Sequence, residues 1–371
     1  MDLSFLTERL IALAGETGAA ALGGLAIGMV FGIAAQQSRF CLRAATVEFG
    51  RDCLKAGLRP GGIGPRSSVW LLTFGTALFW TQALRVAGLL DLSEARMLAV
   101  PGSISGALIG GLMFGCGMVL ARGCSGRMLV LAATGNLRSL LSGLVFAVTA
   151  QMSLHGLLAP LRATIAGWWT TASYTGGRNI EIAAWLGLGD SAGLALGLLA
   201  AITALIFAIR NRVGIRVLVM ASGVGFAIPL AWVFTTALSQ ASFDPVTIEA
   251  ITFTGPSAEL LMAVLEPARR PDFQTGLVPG VFLGAFLAAL VTRELKLQGF
   301  EGAASMRRYL LGAALMGMGG MLAGGCAIGA GVSGTSVLSL TAWIALAAMW
   351  AGAMATDALV DAPAAAIAMP S

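Results

Sequence analysis

The stretch Gly115-Cys116-Gly117-Met118-Val119-Leu120-Ala121-Arg122-Gly123-Cys124 returns later in the chain as Gly317-Met318-Gly319-Gly320-Met321-Leu322-Ala323-Gly324-Gly325-Cys326. Both copies have the pattern G-x-G-x-x-L-A-x-G-C, and both fall where a long apolar helix is expected to end. A motif repeated this far apart reports an internal duplication. A glycine-backed thiol at the point where an apolar helix stops predicts a site inside a membrane. Glycine there removes the steric bar to leaving helical geometry and frees backbone N–H groups, which within a bilayer need partners in protein, water or ligand. A short half-helix starting just after each cysteine would aim its positive dipole end and its free amides inward, which suits an anion.

Working outward, 57% of the residues are hydrophobic and only 11% charged, against about a quarter charged in soluble domains. The chain is therefore read as an all-α polytopic membrane protein. Uncharged runs at 17–38, 67–84, 97–121, 139–161, 191–209, 217–243, 273–292 and 309–356 each hold at least one span, and the last is long enough for two. With about 20 apolar residues per span, this predicts nine helices, near 20–37, 67–89, 100–122, 137–160, 190–210, 215–238, 274–295, 307–325 and 337–358. The start MDLSFLTERL has acids and no basic region before an apolar core, so it does not read as a cleavable signal.

All but two of the 23 basic residues are arginines, the exceptions being Lys55 and Lys296. Most lie in alternate connections, among them Arg39, Arg43, Arg51, Lys55, Arg59, Arg66, Arg210, Arg212, Arg216, Arg307 and Arg308. Basic residues collect in cytoplasmic loops, so a net charge of +5 reports orientation rather than nucleic-acid binding. It predicts a periplasmic N-terminus and a cytoplasmic C-terminus in an inner (plasma) membrane.

The motif copies fall at the ends of the third and eighth predicted helices. The chain then divides into two four-helix units, 20–160 and 213–360, with 161–212 as an external loop and linker helix between them, 1–19 as an N-terminal segment and 361–371 as a tail. An odd linker helix inverts the second unit relative to the first, a recurrent transporter plan in which broken helices meet at the midplane. Each unit also has a long first connection able to dip into the membrane: QSRFCLRAATVEFGRDCLKAGLRPGG at 37–62, and 239–273 containing ITFTGPSAELLMAVLEPARRPD.

The candidate site residues come from these irregular segments. Cys124 and Cys326 come directly after Gly123 and Gly325, and Ser125 comes directly after Cys124. Cys41 lies just past the first helix. The corresponding segment of the second unit has no cysteine and offers Thr252-Phe253-Thr254-Gly255-Pro256, with Thr254 and Gly255 shaping the path. Arg39, Arg122 and Arg127 stand at its mouth. Taken alone, the residues also allow glycines that only let helices approach and thiols that only fill space. Cys53 and Cys116 read in that way. The single histidine, His155, falls inside the fourth predicted helix and reads as a packed residue.

Several chemistries lack parts. No C-x-x-C and no cysteine–histidine clustering supports a metal site or a thiol catalytic pair, and no G-x-x-x-x-G-K-[ST] supports ATP hydrolysis. Acids such as Glu48, Asp52, Glu294, Asp357 and Asp361 lie at or beyond helix ends, whereas proton-coupled carriers place carboxylates inside spans. A path of thiols, amides and hydroxyls without carboxylates suits an anion. No cofactor or metal is expected.

QSRFC at 37–41, the two Gly-Cys motifs and ITFTGP at 251–256 together resemble the YeeE/YedE family of sulfur-transport membrane proteins, over about Gly24 to Leu359. The resemblance implies an hourglass narrowed at the centre, with short loop helices dipping in from both faces. It also implies three cysteines along the path, here Cys41, Cys124 and Cys326, passing thiosulfate by weak S–H contacts. Some members work with a small TusA-like sulfur-carrier protein, which here would be a separate polypeptide. The expectation is thus inner-membrane uptake of a small sulfur anion, thiosulfate before others. A selenium compound, sulfite or sulfide in the same architecture, and a membrane thiol enzyme using Cys124 and Cys326 covalently, are the alternatives.

Overall fold

The computed structural model describes residues 3–54, 63–187, 189–243, 245–266, 271–300 and 302–361, with side chains from Thr7 onward except at Asp190. Lys55, Arg59 and nearly all of the expected tail lie outside them. The helices, in order, are α1 (Leu3–Ser38), α2 (Leu42–Leu54), α3 (Pro65–Val86), α4 (Arg96–Ala99), α5 (Ile104–Leu120), α6 (Ser125–Ala133), α7 (Leu137–Leu154), α8 (Ala159–Gly167), α9 (Ala172–Thr175), α10 (Ile182–Trp185), α11 (Asp190–Arg210), α12 (Ile215–Ala241), α13 (Thr254–Leu265), α14 (Phe273–Val291), α15 (Ala303–Leu322) and α16 (Leu340–Thr356). A six-residue π-helix, Gly329–Gly334, lies between the last two. Among the described residues no strand forms.

Local chemistry sets many of these boundaries. Ser103 accepts from the Gly106 N–H at the start of α5, and Asn136 accepts from the Ser139 N–H at the start of α7. Asp272 and Thr275 form a reciprocal capping box on α14, satisfying amides that the helix itself cannot. Pro65 opens α3, where its missing N–H costs nothing.

Among the described residues, seven helical stretches are long and apolar enough to cross a membrane: those built on α1, α5, α7, α11, α12, α14 and α16. Two of the nine expected spans correspond to α3 and α15, which have the length but are not in that group; they carry Arg66 and Arg85, and Arg307 and Arg308. The N-terminal segment is helical from Leu3, with a break at Gly15 (φ 72°, ψ 171°). The expected fourth span ends early: α7 stops at Leu154, and His155 is not inside a helix but caps its end in the open. The expected 161–189 loop holds most of α8 and all of α9 and α10, with Trp168, Trp169 and Tyr174 exposed.

The packing is an exchange of neighbours. α1 lies along α14 and touches α12, while α12 lies along α3; α5 meets α15 and α16, while α15 meets α7. On the α1–α14 seam, a Cβ at Gly24, Gly28 or Gly32 would strike the α14 backbone, and one at Gly276, Gly280 or Gly284 would strike the α1 backbone. The two helices therefore touch main chain to main chain, the geometry that small residues allow inside a bilayer. α11 packs on α3 and turns Leu199, Ile202, Leu205, Ile206 and Ile209 outward. That apolar outer face is what a lipid-facing helix requires.

Candidate functional site

The two copies of the repeated motif end their helices in the same way. α5 stops at Leu120 and α15 at Leu322; the next residues but one, Arg122 and Gly324, are both left-handed (φ 56° and 78°). Gly123 then donates its N–H to the Met118 carbonyl at 3.0 Å, and Gly325 donates to the Gly320 carbonyl at 2.9 Å. This six-to-one bond closes the last turn and throws the chain sharply out of the helix. It delivers Cys124 and Cys326 into the interior, 1% and 0% exposed.

Beyond the thiols the two copies part ways. Cys124 is the N-cap of α6, the expected half-helix. After Cys326 the expected half-helix is instead the π-helix Gly329–Gly334, spelled GAGVSG. Three glycines in six residues give an α-turn little support, and the wider π-turn lets the Ile328 carbonyl accept from both the Val332 N–H at 3.0 Å and the Ser333 N–H at 2.8 Å.

Each thiol lies where two broken segments meet. The Cys41 and Cys124 thiols are neighbours, each within electrostatic reach of the other. The backbone amides of Leu42 and Arg127 lie near Cys124 Sγ, and those of Ala44 and Cys124 lie near Cys41 Sγ. On the other side, Cys326 Sγ accepts from the Phe253 N–H and the Gly329 N–H, both at 3.4 Å, and Thr252 Oγ1 lies 4.0 Å away. The N-terminal ends of α2, α6 and α13 thus converge on sulfur, a positive end for a polarisable or anionic group.

Two buried hydroxyls lie beside these thiols without a hydrogen-bond partner among the described residues: Ser125 Oγ, next to Cys124, and Thr254 Oγ1, at the start of α13. Between the two thiol sites the space is filled by Phe253, 1% exposed, and Ile328, 1% exposed. Gly126 presses against both; a Cβ there would lie 3.1 Å from the Phe253 ring and 3.6 Å from Ile328.

A cavity of about 340 Å³ opens on the Cys326 side, lined among others by Arg96, Arg162, Glu249, Thr252, Thr254 and Gly325. Glu249 lies in the 245–253 connection, 8% exposed, accepting a hydrogen bond from Gln274 Nε2 and 3.6 Å from Arg96. Burial pushes its carboxyl up to about 7, against the pull of Arg96 and Gln274. The sequence placed acids at or beyond helix ends; Glu249 is a buried carboxyl on the wall of this cavity. Glu249 gives no sign of itself among the uncharged runs, because it sits in a polar connection that folds inward.

The remaining expected residues divide clearly. Gly123, Ser125 and Gly325 are buried at the thiols, and Gly255 is half-buried at the start of α13. Arg39 is largely exposed and paired with Glu294 at 3.4 Å, and Arg122 lies over the Tyr309 ring at 6.0 Å, so these two are engaged elsewhere. Arg127 is half-buried beside Cys41. Cys53 is exposed, and Cys116 donates to the Gly352 carbonyl at 3.7 Å between α5 and α16, consistent with packing alone. All five cysteines are free thiols.

The same helix ends and thiols can be set beside two relatives. The chain is 27% identical over 345 residues to the thiosulfate transporter TsuA of Spirochaeta thermophila, covering 87% of this chain and 93% of that protein. It is 26% identical over 364 residues to the thiosulfate transporter TsuA of Escherichia coli, covering 91% and 94%. A family model described as sulphur transport matches residues 37–355, from the QSRFC segment to the end of α16. The resemblance drawn from QSRFC, ITFTGP and the two Gly-Cys motifs is borne out: this multi-pass membrane chain belongs to the sulphur transport family, a family of carriers and not of enzymes.

Proposed function

We propose that this protein takes thiosulfate into the cell across the inner membrane, handing it between Cys326 on the outer side and the Cys124–Cys41 pair on the inner side. One observation carries the reading: each buried thiol sits where backbone N–H groups of two broken segments converge, beside a buried hydroxyl without a partner among the described residues. Donors of this kind match a small anion that has both oxygen and sulfur ends. A thiol is a weak donor on a polarisable surface. It can touch the sulfur end without trapping it, and transport requires modest affinity at successive stations.

The two units are read as inverted repeats, 20–160 and 213–360, with the N-terminus periplasmic and the C-terminus cytoplasmic. The reciprocal packing supports this: α1 with α14 against α12 with α3, and α5 with α16 against α15 with α7. The two TsuA transporters are similar to this chain along nearly their whole length, which favours thiosulfate over a selenium compound, sulfite or sulfide. A TusA-like sulfur carrier on the cytoplasmic side would accept the imported sulfur as a separate polypeptide.

The test is uptake of labelled thiosulfate into proteoliposomes. Cys124→Ala and Cys326→Ala should each cut uptake at low substrate by about tenfold or more, the scale of losing a hydrogen bond to a charged group, while Cys124→Ser keeps part of it. Undiminished uptake in both alanine variants would falsify the thiol path. Competition by selenite, sulfite and sulfate in the same assay ranks the cargo.

A further inference from the structure

The donors around the two buried thiols match position by position. Near Cys124 Sγ lie the backbone amide of Arg127, three residues on, and that of Leu42 from the other broken segment. Cys326 Sγ receives the N–H of Gly329, three residues on, and of Phe253 from the other broken segment. Leu42 and Phe253 therefore hold the same position. The residue before Leu42 is Cys41, whose thiol meets Cys124; the residue before Phe253 is Thr252, whose hydroxyl stands 4.0 Å from Cys326 Sγ. In both pairs the inner member is buried and the other is half-buried. Thr252 is thus the counterpart of Cys41, carrying oxygen where the first half carries sulfur.

Thr252 also bridges two regions. It lines the 340 Å³ cavity, whereas Cys326 is fully buried behind it. Its 4.0 Å separation from Cys326 Sγ is the outer limit of an O–H···S contact, which leaves the hydroxyl free to turn toward the cavity. Gly329 makes this position possible, because a Cβ there would collide with Thr252 Oγ1. Two residues on, the unpartnered Thr254 hydroxyl opens α13 and lines the same cavity.

We propose that Thr252 is a further station of the path: its hydroxyl takes an oxygen of the incoming anion in the outer cavity and passes the anion on to Cys326. The inference rests on the thiol path of the proposed function. A hydroxyl is the stronger donor toward a hard oxygen and a thiol the softer surface for sulfur, so the two members of the outer pair would hold the two ends of thiosulfate.

The experiment measures thiosulfate uptake into proteoliposomes by the full chain and by Thr252→Val, Thr252→Ser and Thr252→Cys, with Cys326→Ala alongside. Thr252→Val keeps the shape and loses the donor; its KM should rise about tenfold or more with a smaller change in maximal rate. Thr252→Ser should stay within about twofold of the parent, and Thr252→Cys should fall between because its S–H is a weaker donor. A parental KM in Thr252→Val, with uptake lost in Cys326→Ala, overturns the role of Thr252 and leaves the thiol path standing. Equal loss in the Val and Ser variants also overturns it, since the hydroxyl would then not be the acting group. If Thr252→Val does not assemble, a parental KM in Thr252→Cys has the same force. Absence of uptake by the parent chain overturns the thiol path and this inference together.

Discussion

Arg122 and Gly324 hold the same position in the two copies of one helix-ending turn, and both have left-handed backbones, with φ of 56° and 78°. Only glycine takes that conformation without cost; for other residues it costs roughly 1–2 kcal/mol. Arg122 offsets part of this by lying over Tyr309, a contact that contributes about 0.5–1 kcal/mol when exposed. Arg122→Gly should therefore melt within a few degrees of the parent. Gly324→Val, which forces a β-branched residue into positive φ, should melt clearly lower. Thermal scans of the purified chain in one detergent compare the two; a larger loss from Arg122→Gly would contradict this account of the turn.

The α1–α14 seam makes a contrasting pair of predictions about glycine. A Cβ at Gly28 would collide with the Leu277 carbonyl, whereas one at Gly143 in α7 would meet nothing within 4 Å. Gly28→Ala should cost roughly 1–3 kcal/mol or more through overpacking. Gly143→Ala should stabilise by about 0.5–1 kcal/mol, the helix-interior difference between the residues. Unfolding midpoints give the order, and equal effects would count against the seam.

With the Cys326 side facing outward as proposed, access to the cavity should depend on pH through Glu249. Its carboxyl, raised to about 7 by burial, is neutral below that pH and negative above it. Arg96 at 3.6 Å and the Gln274 amide favour the charged form, while Asp272 opposes it. Since the cargo is an anion, raising the external pH through about 7 should raise its KM by about three- to tenfold, the scale of one added like charge nearby. Glu249→Gln should flatten the profile. A parental profile that is already flat from about pH 6 to 8 would show that Glu249 does not face the cargo.

At the opposite end, Asp357 accepts two bonds from Arg51 at 2.8 Å each, and Asp361 receives both Arg43 at 3.4 Å and Arg308 at 2.8 Å. These contacts tie α2 and α15 to the end of α16. Asp357 is 4% exposed and Arg51 38%, so the pair is screened only in part. Asp357→Asn should cost about 1–3 kcal/mol and make the α2 segment more sensitive to protease. An unchanged cleavage pattern would argue against the tie.

Much of this was legible in residue order. The doubled G-x-G-x-x-L-A-x-G-C announced two helix ends with thiols behind them, and α5 and α15 end at the motif with the same hydrogen bond. Composition made the chain a membrane protein, and QSRFC with ITFTGP pointed to the family. The meeting of Cys41 with Cys124 was not legible, because it depends on how the helices pack and not on spacing. Thr252 was in view as part of the cysteine-free segment, but its approach to within 4.0 Å of Cys326 Sγ was not, because that too depends on packing. The π-helix at Gly329–Gly334 escaped because helix-ending signals say where a helix stops and not what form the next turn takes.

The main-chain contact between α1 and α14 has a mechanical consequence. Surfaces that interlock through backbone, without long side chains to bend between them, resist sliding or tilting, since any shift must unseat Gly24, Gly28 and Gly32 along with Gly276, Gly280 and Gly284. Such a seam behaves as a stiff spar. Whatever local movement carriage needs is then left to side chains inside that frame, such as the Phe253 ring that presses on Gly126.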